Sequence, residues 1–252
     1  MVNPRPQTVH LGHVIIKKHR VGSTNDELKQ IVRENSKLDS GFTVVAEYQT
    51  KGRGQGRNQW ISEAGKNAMF SVFIRLPQDV RENIFLLNFA VSLGVRAAVQ
   101  KKLIGQQVEV KWPNDIMVGG KKVAGILIEN TFGAYVNSIV GVGVNVNQNE
   151  FGEMSRATSI ASVSGNTSDI NEFITDCLEY VEKYINLMLN QTHLQQIRQL
   201  YVSQLYKLDE TVQVGGKDHK VIDVDAEGKL ILRDEGGKQM AITHNEKKIE
   251  WT

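Results

Sequence analysis

The sequence predicts an α+β protein: a mixed, mainly antiparallel sheet with flanking helices, followed by a small C-terminal SH3-like β-barrel. Three observations carry this. Between residues 108 and 146, strand-like runs follow one another closely and are separated by glycine turns. Strands joined that way pair antiparallel or in a mixed sheet, not as repeated βαβ units. Two long segments, 84–103 and 169–190, place apolar residues at helical spacing. After Leu208 the texture changes to short strands punctuated by Gly215-Gly216, Glu227-Gly228 and Gly236-Gly237, a β-meander of barrel type. The expected division is residues 1–207 and 208–252, with the boundary between Tyr206 and Glu210.

The elements follow in order. Val14-Ile15-Ile16 reads as a short strand. Ser23-Thr24-Asn25-Asp26-Glu27 reads as a helix start, with a capping hydroxyl and acids in the first turn. Phe42 to Tyr48 reads as a buried strand, and a basic glycine loop, 51–57, follows it. Asn67 to Leu76 is a strand ending at Pro77. Phe85, Leu86, Phe89, Leu93 and Ala97 mark the first long helix. Strands are expected at 108–112, 115–118, 122–129 and 138–146, with turns at Gly119-Gly120 and Gly133. Phe173, Cys177, Val181 and Tyr184 line the next helix, and Leu194 to Tyr206 forms another. The meander is expected at 211–214, 220–224, 230–233 and 239–243.

Composition excludes several classes. The 252 residues carry 30 Lys and Arg against 28 Asp and Glu, a formal charge of +2, with 40% hydrophobic and 23% charged residues. Those values fit a folded globular chain and not a disordered one. So small a charge argues against a general nucleic-acid partner. Cys177 is the sole cysteine, which excludes an intrachain disulfide and a Cys-rich zinc site. No secretory signal is legible at the start. The longest apolar stretch, 84–99, is interrupted by Asn88, Ser92 and Arg96 and falls short of a membrane span. The expectation is a cytoplasmic protein without membrane partners.

Chemistry concentrates in four clusters. Gly52-Arg53-Gly54-Gln55-Gly56-Arg57 places three glycines and two arginines in six residues directly after a strand. Exposed backbone N–H groups and guanidinium forks suit an anion, although a solvated surface turn has the same composition. The loop lacks the Gly-Lys-Ser/Thr ending of a phosphate-binding Walker loop and the spacing of a dinucleotide fingerprint. Trp60, just beyond, suits either core packing or a platform for a base. Lys111-Trp112-Pro113-Asn114-Asp115 holds an Asn-Asp pair in a turn. That turn is either structural or a place where Asp115 helps hold Mg²⁺ beside substrate phosphates. In Lys121-Lys122-Val123-Ala124-Gly125, two cations precede small residues that leave room against the sheet. Gly141 and Gly143 sit within a strand, which marks close approach by a ligand or by another backbone.

Taken in order, Ser-Thr-Asn, Gln-Thr-x-Gly-Arg-Gly, Trp-Pro-Asn-Asp, Lys-x-Ala-Gly and Gly-x-Gly-x-Asn resemble the biotin–protein ligases, or holocarboxylase synthetases. The motifs span about residues 14–150, and the closing β-domain fits the same family. Each motif alone is weak; five in order are specific. The resemblance is to the short class without an N-terminal DNA-binding helix-turn-helix, since only about 13 residues precede the first strand. It implies a class II synthetase-like, biotin–lipoate ligase-like catalytic domain. It also implies ATP and Mg²⁺, a biotinyl-5′-AMP intermediate and transfer of biotin to a lysine of a biotin carboxyl carrier protein. A homodimer is compatible with the family and has no signature in this chain.

The resemblance carries roles onto particular residues. Arg53 and Lys122 correspond to the cations that meet carboxylate and phosphate. Ser23, Thr24, Asn25, Gln49, Gly52 and Gly125, with Arg53, correspond to biotin contacts. Gln55, Arg57, Trp60, Asn114 and Asn145 correspond to nucleotide contacts, and Asp115 to the Mg²⁺ ligand. One departure stands out. An ungapped count from Gln49 to Trp60 puts Gln55 where the family has the second arginine of its loop. Glutamine can hydrogen-bond an adenylate and supplies no charge. Two rivals share part of the pattern: a lipoate or octanoate ligase of the same superfamily, and a non-catalytic biotin-sensing regulator. The Gly-Arg-Gly loop and Lys-x-Ala-Gly strand favour biotin. Asp115, Lys122 and a stacking tryptophan together favour catalysis.

Overall fold

The computed structural model describes residues 8–35, 37–56, 58–152, 154, 156–190, 193–244 and 246–251. Seven strands form the main sheet: β1 (Val14–Val21), β2 (Phe42–Gln49), β3 (Asn67–Leu76), β4 (Val108–Lys111), β5 (Asp115–Val118), β6 (Lys121–Phe132) and β7 (Val136–Asn145). Their order is β1-β2-β3-β7-β6-β5-β4. β1 and β2 pair parallel, and the other neighbours pair antiparallel. The sheet is therefore mixed and mainly antiparallel. Five strands of the second sheet, β8 (Thr211–Val214), β9 (Lys217–Val224), β10 (Leu230–Asp234), β11 (Gln239–Ile242) and β12 (Ile249–Glu250), run in the order β11-β10-β9-β8-β12.

Helices cover both faces of the main sheet. On one side α1 (Thr24–Glu34) closes a small core in which Leu28 meets Val44, Phe73 and Ile139. On the other lie α2 (Phe85–Lys102), α4 (Ile170–Leu189) and α5 (Leu194–Ser203), after the short α3 (Ile160–Ser164). β3 reads as a nearly continuous apolar run because it is covered on both faces. α2 and α4 approach so closely at Gly94 that a Cβ there would lie 2.5 Å from the Val181 Cα. Among the described residues no helix is long and apolar enough to cross a membrane.

Some boundaries differ from the sequence reading, each for a physical reason. β1 runs on to Val21, through the basic Lys17-Lys18-His19-Arg20. It is an edge strand with exposed side chains, so no apolar alternation marks its length. α5 stops at Ser203 instead of Tyr206. The chain there turns to cover the free edge of β4: Val110 N donates to the Gln204 carbonyl (2.8 Å) and Tyr206 N to the Val110 carbonyl (2.9 Å). α3 spans five residues and β12 two, too short to show a period. Ser23 occupies the N-cap of α1 but makes no capping hydrogen bond with its side chain. The expected capping role is corrected, and its hydroxyl is left to the neighbouring cavity.

The small sheet docks on the turn between β4 and β5. Trp112 Nε1 donates to the Gly228 carbonyl (2.9 Å), and the His244 ring lies edge-on to Trp112 at 5.7 Å. Gly228 has φ +84, and a Cβ there would lie 2.2 Å from the Phe85 ring, so only glycine fits. Tyr201 Oη donates to the Pro113 carbonyl (2.8 Å), fixing the same turn from α5. Burial pushes the Tyr201 phenol well above its usual pKa, so it stays a neutral donor.

Candidate active site

A cavity of about 230 Å³ opens over the glycine-bearing stretch of β6 and β7. The first turn of α1, the end of β2, the 53–60 loop, the β4–β5 turn and His244 close it. Its two ends differ in chemistry.

The buried side chains of the α1 end are uncharged and internally bonded. Gln49 Oε1 accepts from the Thr24 backbone N–H (2.8 Å) and hydroxyl (3.2 Å). The Ser71 hydroxyl lies 2.8 Å from Thr24 Oγ1 and 2.6 Å from Asn25 Oδ1. Asn25 Nδ2 donates to Glu129 Oε2 (2.8 Å). Ser23, Thr24, Asn25 and Ser71 are all buried. Gly141 makes room for Asn25, since a Cβ there would lie 2.1 Å from Asn25 Oδ1. This neighbour within the chain, not a ligand, dictates the glycine.

Arg53 is drawn to this end by two acids. Its Nη1 donates to Asp26 Oδ1 (2.6 Å) and its Nη2 to Glu129 Oε1 (2.9 Å). Burial lowers the guanidinium pKa, but Glu129 and Asp26 outweigh it and hold Arg53 above its ordinary value. Glu129 is also partly buried, yet hydrogen bonds from Lys29 and Asn25, with the Lys29 and Arg53 charges, keep it below the usual carboxylate range. Arg53 and Lys122 therefore line one cavity without making a joint cation pair.

The 53–60 loop folds on itself. Arg53 bridges Gln59, Gly54 N donates to the Asn58 carbonyl (2.8 Å), and Trp60 N donates to the Gly52 carbonyl (3.0 Å). Gly52 lies outside the lining of the main cavity. A Cβ on it would lie 2.3 Å from the Trp60 carbonyl oxygen, so loop closure dictates that glycine. Gln55 lines the cavity. Arg57 lies outside the described residues. The Trp60 ring rests on Gly143 and Gly125, where Cβ atoms would approach it to 2.5 and 3.3 Å. Its buried Nε1 has no hydrogen-bond partner among the described residues.

The β4–β5 end is charged. Lys122 Nζ pairs with Asp115 Oδ1 at 2.6 Å and lies 5.8 Å from the Trp60 ring centroid. Gly125 lies beside both, 3.1 Å from the Lys122 ammonium by its virtual Cβ. Asn114 is buried and donates one N–H of its Nδ2 to the Ile126 carbonyl, which clips the turn to β6; its Oδ1 and its second N–H are left for a ligand. Asn145 is buried, donates to the Thr158 carbonyl (2.9 Å), and stands outside the cavity lining. Neither Ser71 nor Glu129 belongs to a motif: Ser71 is a single hydroxyl between Phe70 and Val72, and Glu129 opens the polar end Glu129-Asn130-Thr131 of β6. Nor does His244, which comes from the turn after β11 and has no motif around it. Burial lowers the His244 pKa, opposed by Asp115.

A model of the biotin/lipoate A/B protein ligase family matches residues 18–147. The chain belongs to that family. It is 31% identical over 248 residues to the bifunctional ligase/repressor BirA of Bacillus subtilis, covering 92% of this chain and 73% of that protein. It is 30% identical over 231 residues to a biotin–[acetyl-CoA-carboxylase] ligase of Mycobacterium tuberculosis, covering 89% and 84%. Among solved structures, a biotin protein ligase of Aquifex aeolicus in complex with biotin and ATP superposes with a TM-score of 0.78 at 26% identity, covering 94% of this chain and 99% of that one.

Proposed function

We infer that this member of the family is an ATP-dependent biotin–protein ligase. It joins biotin to ATP as biotinyl-5′-AMP with release of pyrophosphate, then passes biotin to a lysine of a biotin carboxyl carrier protein with release of AMP. One observation carries the reading. A single cavity joins a buried neutral hydrogen-bonding end to a Lys–Asp pair and a tryptophan seated on strand glycines.

The ureido ring of biotin carries donors and acceptors together. Ser23, Thr24 and Gln49 supply both kinds, and Asn25 and Gly125 border the same space. Adenylate formation brings the biotin carboxylate onto an anionic α-phosphate. Two unit charges at 4 Å repel by about 4 kcal/mol at an effective dielectric of 20. Lys122 offsets that repulsion at the phosphate, and Arg53 meets the carboxylate by exchanging part of its hold on Asp26 and Glu129. Trp60 stacks on adenine, and its unpartnered N–H finds an acceptor in the bound adenylate. Gln55 and Asn114 border the nucleotide, and Arg57 keeps the nucleotide role that the family resemblance gives it. Asn145 acts at one remove by tying β7 to the Thr158 backbone, and Gly52 by closing the loop.

Asp115 is the one carboxylate lining this cavity among the described residues, and no group of three or more His, Cys, Asp or Glu gathers there to hold a metal. That donor set fits Mg²⁺, which takes one or two protein carboxylates and otherwise waters and phosphates. When bound, Mg²⁺ neutralises phosphate charge; Asp115 would hold it. In the second step the cavity positions an unprotonated acceptor lysine and shields the anhydride from water. The setting is the cytoplasm, where ATP is available. The division at 207/208 makes the small sheet a cap on the Trp112 turn.

The test mixes the purified protein with ATP, Mg²⁺ and a carrier domain, offering biotin or lipoate. Biotin should appear on a carrier lysine, lipoate should not, and chelation of Mg²⁺ should stop the reaction. A competent carrier left unmodified overturns the reading, and lipoylation without biotinylation moves the protein to the lipoate branch.

A further inference from the structure

A second cavity, of about 380 Å³, lies behind the charged wall. Lys111, Asp115 and Lys122 line both spaces, and Arg156, Tyr206 and Trp251 border the second. Three cations thus face one carboxylate, and Asp115 is already paired with Lys122 at 2.6 Å. Lys111 makes no ion pair among the described residues; its ammonium lies 5.5 Å from the Trp251 ring centroid. Burial pulls Lys111 below its ordinary range; Asp115 opposes that, and Lys122 and Arg156 add to it. A partly buried lysine whose nearby carboxylate is already paired with another lysine costs free energy. A ligand anion would remove that cost.

The order of groups along β6 indicates which anion. Asn25 reaches Glu129 and the Leu127 carbonyl, Trp60 rests on Gly125, and Lys122 comes last. The Lys122 ammonium reaches back beside Gly125 and Trp60 while its pair with Asp115 holds it on the wall shared with the second cavity. Attack on a phosphorus places the incoming and departing oxygens roughly in line. A carboxylate arriving from the α1 end expels its leaving group towards Lys122 and the cavity behind it.

We propose that the cleft lined by Lys111, Lys122 and Arg156 is the seat and exit of the pyrophosphate released during adenylate formation. The step balances: a biotin carboxylate oxygen bonds to the α-phosphorus, the bond from that phosphorus to the bridging oxygen breaks, and the electron pair leaves on pyrophosphate. No proton moves. Tyr206 and Trp251 wall the exit, and Lys111 completes its ion pairing only when the anion is present. This site rests on the ligase reading above and adds to it the route of the first product.

The test runs the first step backwards. Synthetic biotinyl-5′-AMP and pyrophosphate are given to the full chain, and ATP formation is followed against pyrophosphate concentration. Losing one charge-assisted contact should raise the KM for pyrophosphate about tenfold in Lys111→Met and about fivefold in Arg156→Gln. Transfer from the same adenylate to a carrier domain should fall less than about threefold, because that step does not use pyrophosphate. Lys37→Met, an exposed charge on the turn after α1, controls for net charge and should match wild type. Should Lys111→Met fail to fold, the exposed Arg156 still carries the test. A KM for pyrophosphate within about twofold of wild type in both variants overturns the proposal. So does a larger loss in carrier transfer than in pyrophosphate use, which would assign the cleft to the acceptor. A wild-type protein that makes no ATP from the adenylate overturns the ligase reading itself.

Discussion

The two ends of the main cavity are built on opposite rules. At the α1 end, Ser23, Thr24, Asn25 and Ser71 are buried, and Thr24, Asn25, Ser71 and Gln49 are hydrogen-bonded to one another or to Glu129. At the β4–β5 end, Lys111 and Lys122 share a wall with one carboxylate, and Arg156 faces them from the cavity behind it. The first end is complete as it stands, so it can recognise a neutral ring with little rearrangement. The second is electrostatically incomplete, and a phosphate completes it. Binding precision and charge stabilisation are thereby separated along one strand, β6.

The comparison breaks most visibly at Lys122. Lys122→Ala should lower adenylate formation by at least about 10²-fold, as expected when one preorganised charge donor is lost, while the fold persists by circular dichroism. Biotin-dependent pyrophosphate exchange measures it; wild-type rates would remove Lys122 from the charged end. Ser71→Ala should act on the other end. It leaves buried Thr24 and Asn25 groups short of a partner, so stability should fall by about 1–2 kcal/mol and the KM for biotin rise about tenfold, with kcat nearly unchanged. Urea unfolding and biotin titration separate the two effects, and an unmoved KM would show that this end needs no supporting layer.

Gln55→Arg tests whether the missing loop charge matters. It should slow adenylate release about tenfold, the worth of one added charged contact; equal off-rates in the two proteins would show that residue 55 does not govern retention. The smallest effect is expected from Lys111→Met on stability. Burial holds the folded-state pKa of Lys111 below its unfolded value. In the window between those two values the unfolded chain binds the extra proton, so wild-type stability rises with pH there. The variant should accordingly be more stable than wild type by about 1 kcal/mol at neutral pH. That advantage should shrink as pH climbs through the window. Denaturation curves at several pH values check both sign and trend, and a variant less stable at pH 7 would show that Lys111 is adequately paired without a ligand.

Much of this was legible in the residues. The ends of β3 and β5 fall where the sequence reading places them, because Pro77 and the glycine turn at Gly119-Gly120 mark them. The charged motifs also declared themselves, since Lys and Asp at turns stand out against apolar strands. Other features depend on the tertiary arrangement. Gly141 and Gly143 suggest a ligand or another backbone in sequence, yet the side chains of Asn25 and Trp60 fill the space they leave. Ser71 and Glu129 matter because sheet pairing and α1 bring them beside Thr24, Asn25 and Arg53. Lys111 is visible as a charge, but that it makes no ion pair among the described residues is a property of the fold. His244 reaches the cavity only because the second sheet docks on Trp112.

The most direct measurement follows the α-phosphate. The protein is mixed with biotin, Mg²⁺ and ATP labelled at that phosphate, without acceptor, then separated from free nucleotide and chased with a carrier domain. The label should stay with the protein as biotinyl-5′-AMP and leave as AMP in step with biotin arriving on the carrier lysine. Label that never binds, or that leaves as AMP while the carrier stays unmodified, would contradict a single cavity that makes and spends the adenylate.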